Sequence, residues 1–327
     1  MGDPRAFFIH MKYFSYCITL CLLLISSIAN AQLYRNEIGL KSDNDSYLGQ
    51  GSDRYYTNGL FISFRHALEQ KKLPQHLEKI TYELSLGQKI FNPYSGFAPD
   101  PVTQDRPFAG YLYAEAAVNW FYSNESIVKT SLQIGTTGKN SLAEAGQKFL
   151  HDTFPFYRIE GWDYQIKNEL SINISGQYTK LISRLADNKV DLSFEGYANL
   201  GTTFNGAGAG LLFRTGNLNQ LFNSAYTNSV IGNRAKTKAT VKREFYFYAK
   251  PQLNLVVHDA TIQGSLFNNE SPVTFNQKPL VFAQQLGLDY TTQRFTVDFS
   301  VILKTKEIKS LARAHSWGSI GLSYRFD

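Results

Sequence analysis

The chain has two cysteines in 327 residues, Cys17 and Cys21, and both lie close to the N-terminus. Beyond them there is no thiol, which excludes a disulfide framework, a cysteine nucleophile and a cysteine metal site from the rest of the chain. Long apolar runs are also scarce. No window after Ala31 holds the roughly twenty apolar residues that a spanning helix needs, so a helical membrane protein is excluded. Signatures of common hydrolases are missing too: there is no Gly-x-Ser-x-Gly elbow and no His-Glu-x-x-His. The acidic run at Asp43-Asn44-Asp45 is not an EF-hand, because Tyr47 and Leu48 stand where that loop needs oxygen or glycine.

What is present begins with an export signal. Lys12 supplies a positive start, residues 17–28 a short apolar core, and Ala29-Asn30-Ala31 a small-x-small cleavage site. Residues 1–31 are therefore expected to be a signal peptide and residues 32–327 a single domain. Formal charge is +6, a mild basicity that suits an anionic lipid surface. Export separates the chain from nucleic acid, which is not expected as a partner.

Aromatics make up 14% of the chain, with 20 Tyr and 24 Phe, yet mean hydropathy is −0.26. Aromatic wealth with low hydropathy fits a transmembrane β-barrel with aromatic girdles and a polar interior. The last strands show the period-2 alternation most clearly. Phe295, Val297, Phe299, Val301 and Leu303 share one face against Thr296, Asp298, Ser300 and Lys304. Ile320, Leu322, Tyr324 and Phe326 oppose Ser319, Gly321, Ser323 and Arg325. Strands are predicted at 33–42, 56–67, 79–90, 108–122, 126–137, 164–179, 188–200, 206–214, 243–258, 279–291, 293–304 and 315–326. That is an all-β, antiparallel transmembrane barrel of about 12 strands, an even number as bacterial single-chain barrels have.

Two segments interrupt the pattern. Residues 141–154 predict a short helix, with Ser141 and Glu144 as a capping box and Pro155 as its stop. His151 falls in its last turn and Gln147 one turn earlier on the same face. Residues 215–242 are polar and weakly helical; parity puts them on the periplasmic side, and no chemistry is assigned to them.

With the N-terminus in the periplasm, odd-numbered connections lie outside. Asn44 and Asp45 then top strand one, Thr57 begins strand two, and Asp105-Arg106-Pro107 ends the second outer loop. The helix with His151 sits in the third, and Gly161-Trp162-Asp163-Tyr164-Gln165 leads out of it. The polar clusters meet at one rim. A histidine and a carboxylate able to hold calcium suffice for ester hydrolysis, the imidazole taking a proton from water and the cation polarising the carbonyl. Solvated Asx-turns, a histidine complementing a helix dipole and a salt-bridged turn explain the same residues without chemistry.

In order and spacing, Asn44-Asp45, Asp53-Arg54-Tyr55-Tyr56-Thr57-Asn58-Gly59, Asp105-Arg106-Pro107-Phe108-Ala109-Gly110-Tyr111-Leu112-Tyr113, Gln147 with His151, and Gly161-Trp162-Asp163-Tyr164-Gln165 with Glu169 resemble the outer-membrane lipid A 3′-O-deacylase family. The resemblance spans nearly the whole chain after the signal. It implies a twelve-stranded barrel in the bacterial outer membrane and calcium-dependent removal of the 3′-linked acyloxyacyl group of lipid A, a carboxylic ester hydrolysis. It also implies site residues: His151 as general base, Asp45 as calcium ligand, Asn44 and Thr57 as positioning groups, and Gln147 beside the histidine. Family members carry a functional lysine in the second outer loop, whereas residues 91–107 contain none. Lys89 and Arg106 flank the gap and are the candidate substitutes for binding substrate. A phospholipase acting on glycerophospholipid, and a non-catalytic barrel or pore descended from the same fold, are the competing readings. A monomer is the expected state.

Overall fold

The structure is a computed structural model that describes residues 34–49, 53–153, 157–185 and 187–327. The expected signal peptide lies outside the described residues. Twelve antiparallel strands close into one barrel in which each strand pairs with its chain neighbours and the first pairs with the last. They are β1 (Asn36–Asn44), β2 (Tyr55–Ala67), β3 (Leu77–Asn92), β4 (Ala109–Tyr122), β5 (Ser126–Thr137), β6 (Leu170–Leu185), β7 (Val190–Gly201), β8 (Phe204–Asn217), β9 (Glu244–Asp259), β10 (Leu280–Thr291), β11 (Phe295–Lys304) and β12 (His315–Phe326). Closure runs from Asn36 opposite Phe326 to Asn44 opposite Gly318, and it removes the edges that an open sheet would expose.

Alternation decides the two faces of the wall. Ile38 and Leu40 of β1, Leu60, Ile62 and Phe64 of β2, Leu84 and Leu86 of β3, and Ile320 and Leu322 of β12 are exposed on the outside. They form an apolar band suited to lipid. The intervening residues face a polar lumen. There Arg65 bridges Glu37 and Glu83, each at 2.7 Å, and Arg325 pairs with Glu37 at 2.8 Å. Such pairs cost much to break singly, because the survivor is left buried without its counter-charge.

The connections at one end include the two helices, α1 (Ala143–Thr153) between β5 and β6 and α2 (Ala260–Gln263) between β9 and β10. The opposite end has shorter connections and one long one between β8 and β9. That segment turns back into the barrel. Lys79 Nζ, inside the wall, donates to the carbonyl of Phe222 at 2.8 Å and to that of Ser229. Tyr226 OH donates to Glu195 at 3.0 Å, and Leu218, Leu221, Phe222 and Ile231 are buried. The polar, weakly helical character expected for residues 215–242 reduces to a single 3-10 turn at Leu221–Asn223. β8 runs on to Asn217 instead.

Further boundaries differ from expectation. β6 starts at Leu170 rather than 164, because Trp162–Tyr164 makes a 3-10 turn and Ile166 N is bonded to the Phe108 carbonyl. It extends to Leu185, where Arg184 reaches Glu125 at 2.7 Å. α1 begins two residues late. Leu142 adopts φ 58°, and this left-handed residue breaks the predicted capping box. Ser141 Oγ accepts from Ala143 N at 3.4 Å, while Glu144 pairs with Lys148 at 2.6 Å.

Candidate active site on the outer face of the wall

β1 ends at Asn44, an even-numbered position that continues the outward row of Ile38 and Leu40. Its side chain caps the 3-10 turn Asp45–Leu48 by accepting from Ser46 N at 2.7 Å. It also donates to Asn58 Oδ1 at 2.5 Å, tying the tops of β1 and β2 together. Asp45 is 2% exposed. Its Oδ2 accepts from Arg54 N at 3.0 Å, and burial, then the charge of Asp53, push its carboxyl up to about 7.

A β-bulge between Tyr56 and Asn58 sets the position of Thr57. A bulge inserts one unpaired residue and re-aims its neighbours. Tyr56 stays inside, donating to Asp43 at 2.8 Å and packing on Phe91 and Trp317. Thr57 Oγ1 lies 3.3 Å from Asp45 Oδ1 and 3.1 Å from Asp53 Oδ1. Its single proton serves one carboxylate at a time. Asp53 and Tyr55 hold φ 38° and 62°, left-handed values for side chains that rarely adopt them, a strain of the kind found at functional loops. Asn92, fully buried, anchors the turn by donating to the Asp53 carbonyl at 3.0 Å.

α1 lies against the outer surface of β3 and β4. Gly110 makes that approach possible: a Cβ there would come 2.0 Å from Ser141 Oγ and 2.3 Å from Ala143 Cβ. Gln88, also outward, donates to the Ser141 carbonyl at 2.7 Å. Ile90, Ala98, Phe108, Ala143, Ile159 and Trp162 form a small apolar core between the wall and the loops. Gln147 is fully buried and accepts from Trp162 Nε1 at 2.9 Å, so it braces the helix against that core.

His151, in the last turn, meets the β1–β2 connection. Its Nδ1 lies 2.8 Å from the Tyr157 carbonyl; a carbonyl only accepts, so Nδ1 carries a proton. Nε2 lies 3.1 Å from Asp53 Oδ2, and Tyr157 OH donates to that same oxygen at 2.7 Å. Burial, then Asp53, raise the pKa of the Tyr157 phenol, which keeps it a donor. Asp45, Thr57, Asp53 and His151 thus form one chain of contacts, with Asn44 at its base. A cleft of about 620 Å³ opens beside it, lined by Glu144, Lys148, His151, Arg158, Trp162 and Tyr164.

Lys89 and Arg106 are not brought to this chain. Lys89 is an odd-numbered β3 residue that faces the lumen, its Nζ 5.7 Å from the Phe204 ring centroid. Arg106 is fully buried, stacked 4.3 Å from the Phe91 centroid, 3.0 Å from Thr261 Oγ1 and 3.5 Å from Glu307. It clamps the outer loops over the lumen. Conversely, Asp53 and Tyr157 had no role assigned from sequence. Asp53 sits in the motif that carried the resemblance, whereas nothing local marks Tyr157.

The expected calcium can be tested against these donors. Asp45, Asp53 and Thr57 offer only oxygen, the ligand type that hard cations take, and a cation would relieve the repulsion between the two carboxylates. Among the described residues no three carboxylate or imidazole side chains group into a metal cage. Further ligands would therefore come from main chain, water or substrate. The donor chemistry fits a hard divalent ion.

A family model described as outer membrane protein LpxR matches residues 16–326. Among solved structures, LpxR from Salmonella typhimurium superposes with a TM-score of 0.72 at 17% identity, covering 89% of this chain and 100% of that one. The β domain of the Bordetella autotransporter BrkA reaches a TM-score of 0.47 at 10% identity over 90% of this chain and 99% of its own. A sequence comparison with curated proteins finds no match.

Proposed function

The chain belongs to the family of the outer membrane protein LpxR, and from that membership and the site geometry we propose that it is a lipid A deacylase. The substrate is lipid A of the outer leaflet, and the bond assigned is the 3′-linked acyloxyacyl ester, cleaved by water. One observation carries the reading. Two separate connections deliver Asp45 and His151 to the outward face of the wall, joined through Thr57 and Asp53. An ester among outer-leaflet lipids reaches that face without entering the barrel.

His151 is the general base. With Nδ1–H held by the Tyr157 carbonyl, Nε2 is the nitrogen that takes the proton of the attacking water. The Tyr157 carbonyl fixes the ring orientation; Asp53 steadies Tyr157 by accepting its phenol and stands ready to pair with the proton that Nε2 acquires. Asn44 and Thr57 hold Asp45 and the loop edge in register. Asp45 is the residue that would hold calcium. A bound calcium ion polarises an ester carbonyl and favours the oxyanion.

The filled periplasmic end favours an enzyme over a diffusion pore, since the β8–β9 connection occupies the path through the lumen. The test uses purified protein in detergent with lipid A, followed by mass spectrometry. Loss of an acyloxyacyl group that EDTA stops and added calcium restores supports the proposal. Lipid A unchanged in calcium, with phospholipid cleaved instead, overturns it.

A further inference from the structure

We propose that the outward side of α1, formed by Ala145 and Phe149 with Leu142 just ahead of the helix, is a membrane-docking surface seated among the acyl chains of the outer leaflet. α1 has its polarity reversed. Its wall side buries Gln147 completely along with Ala143, while Phe149 is 69% and Leu142 58% exposed. In a connection surrounded by water, an apolar stripe of that kind would have nothing to cover it.

The helix geometry shows which way the stripe looks. Within α1 successive residues turn by about 100°, so Ala145 and Phe149 share one side, and exposed Leu142, left-handed at φ 58°, lies just ahead of the helix. Glu144, Lys148, His151 and Asp152 share another and line the cleft with residues 157–164 of the outer connection. The wall side, Ala143 and Gln147, lies roughly opposite Ala145 and Phe149. The cleft side is occupied by the outer loop and the opposite side by the wall, so Ala145 and Phe149 point away from the barrel, where lipid surrounds it.

Register gives its height. Ser141, just ahead of the stripe, is bonded to Gln88. Gln88 stands opposite Leu112, Leu112 opposite Thr136, and Thr136 opposite Leu170. Leu170 in that row is 64% exposed, and Leu86 and Ile134 in the row beneath are 59% and 52% exposed. The apolar band of the wall therefore continues directly into the stripe. An amphipathic helix lying in the interface presents its apolar side in this way. Docked so, α1 keeps His151 at the depth where acyl esters begin.

The inference rests on outer-membrane placement and not on the deacylase assignment, so either can fail alone. Beyond Cys21 the chain has no cysteine, which makes single-site labelling direct. The variants F149C and L142C, on the stripe, and K148C, on the cleft side, would be labelled with an environment-sensitive fluorophore and reconstituted in phosphatidylcholine vesicles with brominated acyl chains. Folding of each is checked by heat-dependent gel mobility. The expected result is blue-shifted emission at positions 149 and 142, quenched roughly twofold or more beyond position 148. Emission at the aqueous wavelength with quenching equal to that of K148C overturns the proposal. So does shielding that appears only as the protein-to-lipid ratio rises, because a second copy would then cover the stripe.

Discussion

Asp53 Oδ2 lies 3.1 Å from His151 Nε2, so a carboxylate from the β1–β2 connection closes on the nitrogen to which the proposed reaction assigns the water's proton. The same oxygen accepts the Tyr157 phenol. Asp53 therefore orients the ring through Tyr157, whose carbonyl holds Nδ1, and competes with the attacking water for Nε2. Asp53→Ala is expected to lower kcat by about 10- to 100-fold, the usual effect of losing an orienting partner. Asp53→Asn should retain more activity than Asp53→Ala, because its amide oxygen can still accept from Tyr157. Equal losses in both variants would show that the carboxylate does not act through orientation.

Gly110 determines whether α1 can seat at all. Gly110→Val would drive a side chain into Ser141 and Ala143 and lift the helix from the wall. A displacement of about 1 Å at a catalytic group costs on the order of 100-fold. The barrel should still fold, since Gly110 lies on its outer face at the rim. Activity on lipid A and heat-dependent gel mobility, measured together, separate the two effects.

The latch over the lumen has a pH signature. Burial opposes ionisation of Glu307, but Lys304 and Arg106 outweigh it and hold its carboxyl down to about 2. A carboxylate depressed in the folded state contributes stability above its unfolded value, and that contribution is lost as pH falls toward the folded one. The melting temperature is expected to drop between about pH 4.5 and 2. Glu307→Gln should lower it at neutral pH and flatten the acid limb. An unchanged acid limb in the variant would contradict the assignment.

At the other end, Lys79 latches the β8–β9 connection through main-chain carbonyls. Lys79→Ala leaves buried acceptors without donors, a cost of roughly 1–3 kcal/mol for each. Single-channel recordings in planar bilayers are expected to show no steady conductance for the native chain and flickering openings for the variant. Steady openings in the native chain would revive the pore reading.

Strand alternation made the barrel legible, because a wall with lipid on one side and a polar lumen on the other stamps period two on every strand. Parity then told which loops share an end. Parity does not tell which face of the wall a side chain occupies. Lys89 stands one residue from outward-facing Gln88 and Ile90, and its odd position sends it into the lumen. Thr57 escapes the same fate through a bulge that no local pattern announces. Arg106 is buried because its loop folds over the mouth and meets Glu307, a contact between residues 201 positions apart in number. Tyr157 works through its main-chain carbonyl as well as its phenol, and a carbonyl carries no sequence signal. The late start of α1 has a local cause, the left-handed Leu142, that a capping-box pattern cannot foresee.

The proposed hydrolysis requires Asp45 and His151 to act together on the outward face of the wall. Mass spectrometry of lipid A from cells producing the native chain, Asp45→Ala, His151→Ala or the double variant tests it most directly. The expected outcome is an acyloxyacyl loss with the native chain, a loss reduced at least about 100-fold in each single variant, and a double variant no worse than either single one, since groups acting as a unit are not additive. Native-level deacylation in either single variant, at equal outer-membrane abundance, would contradict it.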